Sequence, residues 1–161
     1  MKELINVLEQ ENKIYESILK ISKEKTPVII EGKVNELENM TKTEQSLVLQ
    51  IGKLEDARES ILGKVSEELK IKAEEITLSE IIDKVGSEEG QGLKMAQENL
   101  VKTINDLKKT NDTNSKLIEN SLEYINFSIN LFSSVDSGTN NYGVSGQVNE
   151  GKKKNFFDMK L

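Results

Sequence analysis

Two asparagines, Asn111 and Asn114, stand three residues apart in a run that is otherwise apolar at every third or fourth position. The run is Leu93, Ala96, Leu100, Ile104, Leu107, Asn111, Asn114, Ile118, Leu122, Ile125, Ile129 and Phe132. Carboxamides supply donors and acceptors but no titratable proton, so the chemistry on offer is hydrogen-bonded recognition. A polar residue in an apolar seam costs stability and in return sets register and partner choice. The plain reading of such a pair is that it fixes the register of a coiled coil. A second candidate is Tyr142, within Tyr142-Gly143-x-x-Gly146-Gln147. Tyrosine buries a large area with few rotatable bonds and keeps a hydroxyl for a hydrogen bond, which suits docking. The sole arginine, Arg58, falls in another helical period, with Glu44 and Glu11 as carboxylates it is able to pair with.

Catalysis is poorly served. The chain has no His and no Cys, which removes imidazole and thiol chemistry and Cys/His zinc sites together. Carboxylates are plentiful, but none is placed so as to separate an acid from a base. Gly86–Gly92 lacks the Lys-Ser/Thr ending of a phosphate loop. No catalytic residue, metal ligand or cofactor is expected, and an enzyme is the least favoured class. The net charge of −6 argues against nucleic acid. Three lysines at 152–154 fit a solubilising tail. No apolar run approaches the ~18 residues of a membrane span, and the polar N-terminal stretch does not read as a signal peptide. A cytoplasmic protein is expected.

The elements that must position these residues are helices. The chain is 35% hydrophobic, 31% charged and only 4% aromatic, a balance suited to long helices that bury a stripe. Residues 3–25 carry Leu4, Leu8, Tyr15 and Ile18 on one stripe, widened by Ile5, Ile14 and Ile21 and interrupted by Glu11. Pro27, the only proline, predicts the first boundary. A second period runs through Ile30, Val34, Leu37, Thr41, Glu44, Val48, Ile51, Leu54, Arg58, Ile61 and Val65. Thr77-Leu-Ser-Glu80 fits a capping box, starting a short helix that stops at Gly86. Ser87–Gly92 reads as a loop, and the period containing the asparagines follows as far as Ser133 and Ser134. From Asp136 to Gly151 the chain is rich in Gly, Ser and Asn with no Lys or Arg, which predicts a flexible tail. The expected fold is all-α: an elongated antiparallel bundle or coiled coil of three main helices plus one short helix. A helical domain is expected over 1–134, with a flexible C-terminal tail over 135–161. Such long hairpins are also compatible with a homodimer formed by helix exchange.

Asn111-x-x-Asn114-x-x-Leu117 on a long last helix, then Tyr142-Gly143-x-x-Gly146-Gln147 and Gly151-Lys152-Lys153, resembles the FlgN family of flagellar export chaperones. Leu54-Glu55-x-x-Arg58 on the second long helix is similar to the same pattern. The resemblance implies a cytoplasmic chaperone that binds hook-associated (hook–filament junction) proteins and delivers them to the export gate. It implies a cargo-binding seam of Asn111, Asn114, Leu117, Ile118, Leu122, Ile125, Ile129 and Phe132, which would cover the amphipathic C-terminal helix of the cargo. It also implies gate docking by Tyr142, with Gly143, Gly146 and Gln147 around it. The Phe156-Phe157 ending departs from some relatives. The competing reading is a structural coiled coil, or a helical regulatory or adaptor module, without an export role.

Overall fold

The computed structural model describes residues 1–71 and 77–138, with Ser87 and 135–138 described as backbone only. The described residues form four helices and no strands: α1 (Lys2–Ile30), α2 (Val34–Leu69), α3 (Leu78–Lys84) and α4 (Ser87–Gly138). The all-α expectation of three long helices and one short one is therefore met. The chain divides into two units, Met1–Leu122 and Glu123 onward.

Side-chain pairings set the directions within the first unit. Glu11 meets Arg58 while Lys25 meets Glu44, so α1 and α2 run antiparallel. Ser22 meets Asn111 and Thr26 meets Asn114, at separations of 89 and 88 residues, so α1 and α4 run parallel. The core gathers where α3 lies, from Leu4, Leu8, Val65, Ile81, Leu93, Ala96 and Leu100. Each of the Leu, Val and Ile side chains contributes about 1.5–3 kcal/mol when fully buried. The capping box of α3 is formed: Thr77 Oγ1 accepts from the Glu80 amide at 3.2 Å, and a Glu80 carboxylate oxygen accepts from the Thr77 amide at 3.2 Å.

Three boundaries differ from the sequence expectation, two of them for a local reason. Pro27 lies inside α1, three residues before its end. The helix ends instead at Ile30, just ahead of Gly32, whose φ of +68° suits glycine. There the Gly32 amide donates to Ile29 O and the Lys33 amide to Val28 O, both at 3.1 Å, which closes the last turn. Ser87–Gly92 is not a loop but the first turns of α4. Its glycines serve close packing: a Cβ on Gly90 would lie 3.1 Å from Ile82 O, and one on Gly92 would lie 3.2 Å from Ile5 Cδ1. At the far end, α4 continues beyond Ser134 to Gly138.

At the end of α2, Lys70 holds the left-handed conformation that usually goes to glycine, at φ +52°. The Ile71 amide donates across it to Ser66 O at 3.1 Å. Lys70→Gly is therefore expected to stabilise the fold by about 0.5–1 kcal/mol, read as a higher urea midpoint.

Candidate partner-binding site

The asparagines of α4 face α1 and form a polar rung with it. Asn114 is 5% exposed. Its Nδ2 donates to Ser22 O at 2.7 Å, and its Oδ1 accepts from Thr26 Oγ1 at 2.7 Å. Asn111 is exposed, yet its Oδ1 accepts from Ser22 Oγ. Neither asparagine pairs with the other. Their partners, Ser22 and Thr26, sit inside a stretch that reads as ordinary helix surface, and nothing in their spacing singles them out. Thr103 takes a further buried place on α4 and satisfies its hydroxyl on Asn99 O at 3.1 Å, while the neighbouring Ile104 turns outward.

A charged pair lies deeper along α1. Glu11 is 1% exposed and its Oε2 accepts from Arg58 Nη1 at 3.1 Å. Arg58 thus selects Glu11, and Glu44 is taken by Lys25. The other Glu11 oxygen, Oε1, has no partner. Burial pushes the Glu11 carboxyl above its ordinary range; Arg58 pulls it down and Glu55 adds to the rise. The folded state therefore holds this proton more tightly than the unfolded chain. Between the two pKa values stability falls as pH rises, and it is regained as pH falls toward the ordinary carboxylate range. In urea titrations the parent should gain on Glu11→Gln as pH is lowered from 7 toward about 4.5. A difference independent of pH would contradict this account.

The remaining seam residues of α4 behave differently from the asparagines. At the α1–α4 offset of 88 residues, the last residue of α1, Ile30, comes level with Ile118. Leu117 is half-buried, whereas Ile118 and Leu122 are exposed although apolar. In the second unit, residues 123–138 are helical, and Ile125, Ile129 and Phe132 are exposed there. Helical spacing places these three on one side. Tyr124, Phe127 and Leu131, which the periodic reading passed over, are exposed as well. Asn111 and Asn114 thus form a rung with α1, whereas Ile118 and Leu122 in the first unit and Ile125, Ile129 and Phe132 in the second are uncovered. Tyr142, Gly143, Gly146 and Gln147 lie outside the described residues.

Among the described residues no group of acidic side chains is placed to hold a metal ion, and no helix is long and apolar enough to cross a membrane.

Comparison with known proteins gives two findings. The FlgN family (FlgN protein) matches residues 1–150. The chain is also 28% identical over 164 residues to "Uncharacterized protein YvyG" of Bacillus subtilis (strain 168), covering 99% of this chain and 98% of that protein. No solved structure matches.

Proposed function

The chain belongs to the FlgN family of flagellar export chaperones, and from that membership we propose that it holds the amphipathic C-terminal helix of hook-associated proteins in the cytoplasm and delivers them to the export gate. The family is one of chaperones and not of enzymes. The observation that carries the finer reading is the exposure of large apolar residues at helical steps on α4, Ile118 and Leu122 in the first unit and Ile125, Ile129 and Phe132 in the second. Exposed side chains of this size at three- and four-residue steps are the complement of a second amphipathic helix. Cargo bound there would have its own apolar face removed from water, which suppresses early self-assembly. Asn111 and Asn114 contribute by holding α4 against α1, and Leu117 closes the near end of the run.

The direct test is a pull-down of the full chain against candidate hook-associated proteins, with cargo lacking the C-terminal helix as control. Loss of capture on deleting that helix is the expected result. Equal capture without it would overturn the proposal. Gate docking is proposed for Tyr142 within the stretch that also holds Gly143, Gly146 and Gln147. Tyr142→Ala is expected to leave cargo capture within twofold of the parent while lowering secreted cargo at least fivefold. Unchanged secretion would remove the docking role.

A further inference from the structure

The end of α4 carries a second apolar stripe beside the one assigned to cargo. Tyr124, Phe127 and Leu131 repeat at three and four residues and are 72%, 64% and 51% exposed. At about 100° per residue they lie roughly 140° around the helix from Ile125, Ile129 and Phe132. A single helix laid along the first stripe leaves this one in water. Three large side chains in a row are more than the scattered apolar exposure of an ordinary surface.

We infer that this second stripe is covered by the chain's own residues 156–161, Phe156-Phe157-Asp158-Met159-Lys160-Leu161. Three observations select that occupant. The first is chemical: four of those six residues are large and apolar. The second is charge. Residues 123–138 carry Glu123 and Asp136 with no Lys or Arg, whereas residues 152–161 carry Lys152, Lys153, Lys154 and Lys160 against Asp158 alone. A second copy would instead bring the same acidic helix against this one. The third is reach. Leu131 and Tyr124 lie 7 and 14 residues before Gly138, or about 10 and 21 Å at the helical rise. Residues 139–155 supply seventeen residues rich in Gly, Ser and Asn. A chain of that composition spans about 21–25 Å root-mean-square. The segment thus reaches the stripe near the length at which tethering is most effective. The inference stands apart from the chaperone reading, since it concerns the stripe that cargo leaves uncovered.

The chain has no native cysteine, so a nitroxide on Lys160→Cys reports from one place. In the full chain it should broaden the amides of Tyr124–Leu131 at least fivefold more than those of Lys13–Ile18 in α1. Phe127→Ser, and separately Phe156→Ser with Phe157→Ser, should bring that ratio to within twofold of unity, with circular dichroism unchanged. Ile129→Ser should leave it high. Absence of broadening in the parent overturns the inference. So does broadening as strong in a mixed sample whose label and observed amides sit on different molecules, because the stripe then belongs to a second copy. Equal loss of broadening in Ile129→Ser would also overturn it, by moving the segment to the cargo stripe. Cargo capture measured on the same variants judges the chaperone reading separately.

Discussion

Leu122→Asp is expected to lower cargo affinity at least a hundredfold while leaving helicity and thermal unfolding unchanged. Leu122 is 54% exposed, so the free protein loses little when it becomes polar. In a complex the same side chain would be buried. The change forfeits about 1.5–3 kcal/mol of apolar burial and adds the cost of desolvating a carboxylate. Together these exceed about 3 kcal/mol, which corresponds to more than a hundredfold in Kd. Titration calorimetry with cargo, beside circular dichroism of the free variant, separates lost binding from lost folding. Full-strength binding by Leu122→Asp would place the cargo elsewhere. A variant that simply unfolds would mean the residue belongs to the chain's own packing.

The largest effect on stability is expected from Arg58→Ala. It removes the cation paired with Glu11, whose carboxylate is 1% exposed and already has an oxygen without a partner. Breaking a buried ion pair from one side costs about 3–5 kcal/mol. The Arg58 side chain retains 32% exposure, and water screening of that end lowers the expectation to about 2–4 kcal/mol. Adding Glu11→Leu should recover most of the loss, because position 11 then no longer buries an unpaired charge. The coupling is read from urea midpoints of both single variants and the double. Additive losses would show that Arg58 acts by packing its aliphatic stem instead of by charge.

Elements whose signals are local were legible in the sequence. Thr77 and Glu80 form a capping box from their spacing alone, because both partners lie within one turn. Leu93, Ala96 and Leu100 announced a buried face by period, and they are buried. Signals that depend on a distant neighbour were not legible. Proline suggested a break at Pro27, but a helix end needs a way to close its last carbonyls, and Gly32 supplies it. Glycines at 90 and 92 suggested a loop, but they are small because Ile82 and Ile5 crowd them. Asn111 and Asn114 were recognised as polar members of an apolar seam. That they would be met by Ser22 and Thr26 depended on how α1 lies beside α4, which no short window of sequence contains.

The rung between Thr26 and Asn114 acts as an end stop for sliding. Apolar ridges tolerate a shift of one turn, about 5.4 Å, since similar side chains then replace one another. Directed hydrogen bonds do not, because each donor would lose its acceptor. A slip by one turn would draw Leu122 down to where Ile118 now stands, or push Asn114 into water. By forbidding it, two amides and two hydroxyls choose which residue of α4 stands level with Ile30.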